Sequence, residues 1–147
     1  MAKRILVPLD QSEVAETVVP IVADAARGGQ ATVRLLHVAP VPDNRIDEED
    51  RVIAYADQEM DRLQAEALDY LRAVEVQFIG TPVECVVRFG DPVSEILREA
   101  ETFGADLIAV CATGRGGLTR AVFGSHAEQV MRKAGTAVML IKPGRAR

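Results

Sequence analysis

The chain has 147 residues and a formal net charge of −5 at pH 7, which suits one domain over residues 1–147 and hardly two. Its 48% hydrophobic and 27% charged residues exclude disordered, collagen-like and low-complexity classes. The apolar runs are too short to span a membrane. The acidic balance and the scarcity of aromatics, with no Trp, argue against nucleic acid as the main partner.

Charge is unevenly spread along the chain. Residues 43–62 hold eight acids and three arginines, whereas residues 107–147 hold seven bases and one acid. These stretches indicate either solvated surfaces or a basic C-terminal third that faces an anion. Cys85 and Cys111 lack disulfide-scaffold or zinc spacing, and the two histidines give no metal-site pattern. No targeting signal is visible, so a cytoplasmic location is expected.

The first two elements are predicted to be a strand and a helix. Lys3–Pro8 (KRILVP) is rich in residues that favour strands. Asp10 or Ser12 then caps a helix that continues to about Arg27, followed by two glycines that end it. Pro20 lies inside this pattern, so it is expected to bend the helix or loosen one turn.

The middle of the chain repeats this alternation. Ala31–Val38 predicts a second strand, and the apolar stripe from about Glu48 to Val74 predicts a long amphipathic helix. Val83–Phe89 predicts a third strand. Asp91 then suits the cap of the next helix and Pro92 its first position.

The last third predicts two more strands. Asp106–Cys111 is apolar on both faces, and a glycine-rich loop joins it to a helix near Ser125–Lys133. Thr136–Ile141 predicts the fifth strand. Strands alternating with helices indicate an α/β fold, a doubly wound parallel sheet with helices on both faces. Ligands are expected at the carboxyl ends of strands beside the reversal of strand order.

The glycine-rich loop is the segment best suited to bind an anion. It reads CATGRGGLTRAVFGS over residues 111–125. Successive N–H groups in such a loop, and the free N–H groups where the next helix starts, can bind phosphate. A turn without a ligand is the alternative. The loop is neither a Walker P-loop nor a dinucleotide fingerprint.

Four motifs, taken in chain order, resemble a known family. They are ILVPLDQSE, LLHVAP, VVRFGDP and DLIAVCATGRGGLTRAVFGSHAEQVMRKAGTAVMLIKP. By their order and spacing the chain resembles the universal stress protein family over nearly its whole length. The resemblance implies five parallel strands in the order 3-2-1-4-5, ATP or AMP as ligand, and a homodimer formed through the last strand.

The ATP-binding branch of that family carries the pattern G-x2-G-x9-G-[ST]. Gly114, Gly124 and Ser125 match this pattern, whereas Cys111 stands where the first glycine is expected. A side chain at that position can crowd the ribose or the phosphates, or prevent a positive φ. The departure puts ATP binding in question.

The resemblance also implies a base-binding end of the site. Pro8 would line the base, and Asp10 would accept a hydrogen bond from adenine or ribose or serve as a helix cap. Val38 would offer backbone groups to the adenine edge, or be plain core. Val110 would lie along the ribose and α-phosphate.

A phosphate-binding end is implied by the same resemblance. Cys111 and Gly114 would lie along the ribose and α-phosphate. Arg115 would approach the phosphates or remain an exposed arginine. The β- and γ-phosphates would be held by Gly124, Ser125 and the backbone of His126. The His126 side chain is otherwise expected on the helix surface, and His37 is expected to be a hydrogen-bonded structural residue.

The last strand is expected at a sheet edge, where an apolar strand invites pairing with its equal in a second copy. The predicted dimer residues are Ala137, Val138, Met139, Leu140 and Ile141. The expected function is a stress-response regulator that binds ATP or AMP, with or without Mg²⁺, and has little or no catalysis. The alternatives are a nucleotide-independent dimeric interaction module, favoured by Cys111, and a weak ATPase. No catalytic residue and no metal ligand is predicted.

Overall fold

The elements of the protein alternate between strands and helices, except for a short pair of strands that follows the second strand. The computed structural model describes residues 3–12, 15–42, 45–46, 52–54, 56–112 and 125–142. In chain order the elements are β1 (Arg4–Pro8), a 3-10 turn (Ala15–Thr17), α1 (Val18–Gly29), β2 (Thr32–Ala39), β3 (Arg45–Ile46), β4 (Val52–Ala54), α2 (Ala56–Glu75), β5 (Val83–Phe89), α3 (Pro92–Phe103), β6 (Leu107–Cys111), α4 (Ser125–Lys133) and β7 (Ala137–Ile141).

Five strands form one parallel sheet in the order β5-β2-β1-β6-β7. Counted along the chain without the short β3–β4 pair, this is the predicted order 3-2-1-4-5. The order reverses between β1 and β6, because the chain leaves β1 towards one edge of the sheet and later returns to the other. The predicted doubly wound α/β fold is confirmed.

Two apolar clusters cover the two faces of the sheet. The side chains of β1 alternate between them, since Val7 joins one cluster and Leu6 the other. The Val7 cluster includes residues of α1 and α2, such as Val22 and Leu71. The Leu6 cluster includes residues of α3 and α4, such as Val130. The helices therefore lie in two layers with the sheet between them.

The predicted helix from Glu48 begins later than expected. Residues Val52–Ala54 form β4, which pairs antiparallel with β3, and the helix starts at Ala56. The prediction of helix over 52–54 is wrong. Val52 and Ile53 are β-branched and favour extended backbone, which the apolar periodicity of the following residues obscured.

The first helix also differs from its prediction. A 3-10 turn precedes α1, and the α-helix starts at Val18, so Pro20 lies in its first turn. The missing N–H of Pro20 costs no hydrogen bond there, because the first N–H groups of a helix have no intrahelical partner. The expected glycine stop is replaced by Gln30, which adopts φ 55° and donates its N–H to the carbonyl of Ala26.

The start of α3 matches its prediction. Asp91 is the N-cap, its carboxylate accepts from the Ser94 N–H at 2.9 Å, and Pro92 opens the helix. The Ser94 N–H holds the pKa of Asp91 below its ordinary range. Gly90 precedes the cap with φ 139°, where an added Cβ would meet Glu95 Cγ at 3.3 Å. Only glycine suits this turn.

Replacing Asp91 with Ala is expected to lower the melting temperature at neutral pH more than Asp91→Asn does, because Asn keeps an acceptor oxygen for the cap. Since the folded-state pKa of Asp91 is depressed from 3.8, the carboxylate contributes stability above that pH and loses it as the pH falls through the folded-state pKa. The gap between wild type and Asp91→Asn should therefore close in acid. Melting curves followed by circular dichroism from neutral pH to about pH 2 test this, and a constant gap would contradict it.

An ion cluster lies between α3 and the sheet. Glu99 is only 3% exposed, and its two oxygens accept from Arg34 Nη1 at 2.5 Å and from Arg88 Nε at 2.6 Å. Arg88 Nη1 also donates to Glu95 Oε1 at 2.9 Å, and Arg34 Nη2 donates to Glu84 Oε1 at 2.7 Å. These five residues, called the α3 ion cluster below, join β2, β5 and α3.

The guanidinium of Arg34 has a further partner. Its Cζ lies 4.2 Å from the centroid of the Phe103 ring at the end of α3, within the range of a cation–π contact. Arg4 on β1 donates from Nη1 to the Phe103 carbonyl at 3.0 Å. The carboxyl-terminal end of α3 is thus tied to β1 and β2 by arginines.

Candidate functional site

The chain turns sharply after β1, at the edge where the strand order reverses. Gln11 adopts φ 68°, an unusual conformation for a residue with a side chain. Asp10 Oδ1 accepts from the Ser12 N–H at 3.0 Å, and Ser12 Oγ accepts from the Ala15 N–H at 3.0 Å. Ser12 therefore caps the 3-10 turn, and Asp10 holds the bend before it. Within the described part of the chain, Oδ2 of Asp10 accepts no hydrogen bond.

The end of β2 lies next to this bend. His37 Nδ1 donates to the carbonyl of Leu9 at 2.8 Å, so the expected structural role of His37 is confirmed. Val38 is half-buried, packs against the cluster on the α3 face, and pairs in register with Arg88. Pro8 of β1 pairs with Leu36 of β2. The same register continued by two residues would bring Asp10 level with Val38.

The end of β6 places its last two side chains on opposite faces. Val110 is buried with the cluster on the α3 and α4 side. Cys111 is half-buried against the α1 and α2 cluster, and its Sγ lies 3.9 Å from Thr17 Oγ1. Cys111 pairs in register with Ile141 and is not among the described residues with a positive φ. Its backbone is therefore extended, and its thiol lies on the side of α1.

The predicted base-binding residues lie at one edge of the sheet. Leu6 pairs with Ile108, and the same register extended by two residues puts Pro8 level with Val110. Pro8 and Asp10 are half-buried, like Val38. The structure therefore places these side chains at the carboxyl ends of β1, β2 and β6, around the reversal of strand order. Ligands of open α/β sheets bind at this location.

The predicted phosphate-binding residues are only partly described. Gly114, Arg115 and Gly124 lie outside the described residues, as does the side chain of Ser125. Ser125 begins α4, and His126 is exposed in its first turn, as expected for a surface histidine. Because α4 leads from the end of β6 back to the parallel strand β7, its start lies at the carboxyl-end edge of the sheet, as does the start of α3 after β5.

The two cysteines differ in environment. Cys85 Sγ donates to Glu75 Oε1 at 3.3 Å, and burial, with this carboxylate, raises the pKa of Cys85 to about 12. A thiol this hard to ionise is a poor nucleophile at neutral pH.

Among the described residues, no group of three or more His, Cys, Asp or Glu could hold a metal ion.

Sequence reasoning missed one polar contact at this edge. The Tyr70 hydroxyl on α2 donates to Glu16 Oε2 in the 3-10 turn at 2.8 Å. Tyr70 belongs to the apolar stripe that predicts α2, so the pattern identifies its ring as core and says nothing about its hydroxyl. The neighbourhood of Glu16 depends on a packing of α2 over the turn that periodicity does not reveal.

The sheet edge formed by β7 is the second candidate site. In the described part of the chain β7 pairs with β6 alone. Ala137 is exposed, Val138, Met139 and Leu140 are half-buried, and Ile141 is buried. The opposite edge strand, β5, contains charged residues of the α3 ion cluster, whereas β7 contains none.

No helix in the described ranges is long and apolar enough to cross a membrane.

Comparison with known proteins identifies close parallels in sequence and fold. Universal stress protein MJ0577 of Methanocaldococcus jannaschii is 27% identical to this chain over 157 residues, which cover 97% of this chain and 96% of the relative. The solved structure of MJ0577 has a TM-score of 0.82 and covers 98% of both chains. UspA from Lactobacillus plantarum has a TM-score of 0.77 at 26% identity, with 95% of this chain and 97% of that chain covered.

Three further solved structures contain a nucleotide. A universal stress protein from Archaeoglobus fulgidus in complex with dAMP is 24% identical, with a TM-score of 0.61 and coverage of 95% and 98%. A family protein from Arabidopsis thaliana with AMP bound (17%, TM-score 0.65, coverage 97% and 92%) and a universal stress protein in complex with cAMP (19%, TM-score 0.64, coverage 97% and 98%) are more distant. At these identities the likeness to this chain is one of fold.

A family-wide comparison gives the broadest match. The family model described as the universal stress protein family matches residues 1–142. The strand order and the solved relatives agree with that match. By sequence over nearly its whole length and by the topology of its sheet, the chain belongs to the universal stress protein family.

Proposed function

We propose that this protein binds an adenine nucleotide, ATP or AMP, at the carboxyl ends of β1, β2 and β6, and that it acts as a homodimeric stress-response regulator with little or no catalysis. The observation that carries the proposal is that Asp10, Val38, Val110 and the start of α4 all lie at the carboxyl-end edge of the sheet, around the reversal of strand order. Support also comes from the solved family structures with AMP, dAMP and cAMP.

The base end of the proposed site combines apolar surface with a carboxylate. Pro8 and Val38 provide half-buried apolar contact. Asp10 Oδ1 accepts from the Ser12 N–H, whereas Asp10 Oδ2 accepts no hydrogen bond from the described residues. That oxygen can accept from the exocyclic amine of adenine or from a ribose hydroxyl, both of which are donors. A mostly apolar cleft with a few placed polar groups is typical of small-molecule sites.

The phosphate end of the proposed site combines a helix start with the glycine motif. The first N–H groups of α4, from Ser125 and His126, have no intrahelical partner and lie at the positive end of the helix dipole. Gly114 and Gly124 would let the preceding backbone approach the phosphates, and Arg115 would add charge. Mg²⁺ usually binds through substrate phosphates and one or two carboxylates, so here it would be bound mainly through the phosphates of the nucleotide.

Cys111 bears on the choice between the nucleotide-binding regulator and the nucleotide-independent module. A side chain at this position would obstruct the site if it pointed towards the ligand. The thiol lies beside Thr17 on the α1 side, whereas Val110 points to the α3 and α4 side. This direction favours nucleotide binding. We therefore expect Cys111→Gly to change affinity little.

Calorimetry and thermal-shift measurements with ATP and with AMP test the proposal. A ligand at 100 times its Kd adds about 2.7 kcal/mol to the free energy of unfolding, which gives a readily measured rise in melting temperature. Wild type is expected to respond to ATP and AMP. Gly114→Val should lose the response, because its branched side chain restricts the loop and occupies the proposed cradle.

Gly135→Ala is the matched control for the loop variant. Gly135 follows α4 with open space around its Cα, where an added Cβ meets nothing within 4 Å. This variant should bind like wild type. A folded wild-type protein that gives no heat and no shift with either nucleotide would contradict the proposal and leave the interaction module. Phosphate release that persists through purification and disappears in Gly114→Val would instead support the weak ATPase.

A further inference from the structure

The 3-10 turn after β1 is held in place by α2. The Tyr70 hydroxyl donates to Glu16 Oε2 at 2.8 Å. Burial, the Glu16 hydrogen bond and the charges of Glu16 and Asp10 raise the pKa of Tyr70, so its hydroxyl stays protonated and remains a donor. The ring packs against the apolar cluster on the α1 and α2 face. Tyr70 is therefore a fixed anchor for the turn.

The same turn is bonded directly to the Asp10 bend. The Glu16 N–H donates to the Ser12 carbonyl at 3.3 Å, and the Ala15 N–H donates to Ser12 Oγ at 3.0 Å. The Ser12 N–H in turn donates to Asp10 Oδ1 at 3.0 Å. A displacement of Glu16 is therefore passed to the carboxylate of Asp10 through two hydrogen bonds that share Ser12.

The turn also contacts the end of β6. Thr17 Oγ1 lies 3.9 Å from Cys111 Sγ at the end of β6. The turn thus stands between the Asp10 bend and the strand end that leads to the glycine-rich loop. Gln11, with φ 68°, makes the bend a conformation that needs outside support to persist.

We propose that Tyr70 is a positioning residue for the nucleotide site: its hydrogen bond to Glu16 fixes the 3-10 turn and thereby sets the position of the Asp10 carboxylate. This inference rests on the proposed function. Tyr70 acts through Glu16 and does not touch the nucleotide. Its effect belongs to the base and ribose end of the site, which ATP and AMP share.

Tyr70→Phe is the first variant, because it removes the donor and keeps the ring. Loss of one hydrogen bond predicts a roughly three- to tenfold weaker affinity. The factor should be the same for ATP and AMP, since the β- and γ-phosphates are held elsewhere. Glu16→Leu should show the same loss, and the Tyr70→Phe/Glu16→Leu double variant should lose no more than either single variant.

Two further variants separate positioning from a general loss of stability. Glu16→Gln keeps an oxygen that accepts from Tyr70, so its affinity should stay near that of wild type. Thr136→Val removes a hydrogen bond of 3.1 Å to the Ala105 carbonyl at the amino end of the sheet. It should lower the melting temperature and leave nucleotide affinity unchanged.

Isothermal titration of each folded variant with ATP and with AMP gives the result. Equal loss in Tyr70→Phe and Glu16→Leu, with rescue in Glu16→Gln, supports the inference. Wild-type affinity in Tyr70→Phe, unequal losses for ATP and AMP, or failure of Glu16→Gln to retain affinity overturns the inference alone. A wild-type protein that binds neither nucleotide overturns the proposed function and, with it, the role of Tyr70.

Discussion

Replacing Glu99 with Leu is expected to lower the free energy of unfolding by about 3–5 kcal/mol, the cost of removing one partner from a buried ion pair. Glu99 is 3% exposed, and its two oxygens bond to two different arginines, Arg34 and Arg88. Without the carboxylate, both guanidinium groups stay partly buried beneath α3, and their charges are only partly balanced by Glu84 and Glu95. The unbalanced charges make the loss large.

Urea denaturation of wild type and two variants of α3 measures this effect. Glu101→Ala is the control, because Glu101 is an exposed glutamate on the same helix. Exposed charges contribute little to stability, so this variant should lie within about 0.5 kcal/mol of wild type. A shift of the Glu99→Leu midpoint with an unchanged slope reports stability alone. Equal midpoints for wild type and Glu99→Leu would mean that the α3 ion cluster is dispensable.

Val138→Arg is expected to convert a dimer into monomers, with roughly half the mass by light scattering. We propose that β7 pairs with β7 of a second copy, because it is apolar and pairs only with β6 in the described structure. A cation placed in the middle of such a strand, opposite its own copy or close to it, would repel its equal and desolvate on pairing.

Ile79→Arg is the matched control for this prediction. Ile79 is 74% exposed and precedes β5, at the far edge of the sheet. Its replacement makes a similar change of size and charge away from β7 and should leave the mass unchanged. Melting curves should show that Val138→Arg remains folded, and Leu140→Arg serves as a second variant. A dimer that survives both β7 substitutions would rule out the proposed interface.

The sheet could be predicted from sequence because its pattern is local. Val83–Phe89 lies where its apolar residues place it, and Asp91 with Pro92 marks the start of α3 without knowledge of the rest of the fold. The alternation of strands and helices then implies the parallel sheet. The β3–β4 pair was missed because Ile53 of β4 also fits the apolar stripe of the helix that follows it.

The α3 ion cluster could not be predicted in the same way. Arg34 and Glu99 are 65 positions apart, and each reads as an ordinary polar residue in its own element. They meet only because β2 lies beside β5 and α3 crosses over both strands. Periodicity identifies which face of an element is apolar, but it does not reveal where two buried charges will neutralise each other.

The candidate site was predictable in part for similar reasons. The resemblance indicated Asp10 and Val38, and the register of the strands places them at one edge. Asp10 holds the bend after β1, whereas Ser12 caps the 3-10 turn. This arrangement depends on the left-handed conformation of Gln11, which the neighbouring sequence does not predict. The role of Tyr70 depends on a hydroxyl at one end of an otherwise apolar ring.

The two edge strands of the sheet, β5 and β7, differ in charge, and this difference bears on aggregation. Open-ended fibres need two complementary interaction surfaces on each molecule, so that each added molecule leaves one surface free for the next. Here β5 carries Glu84, which pairs with Arg34 of β2, and Arg88, which pairs with Glu95 and Glu99 of α3, and charged side chains on an edge strand discourage a stray strand from docking. Pairing of β7 with its copy would cover the apolar edge strand of both molecules, so assembly through the described edges of the sheet would end at two copies.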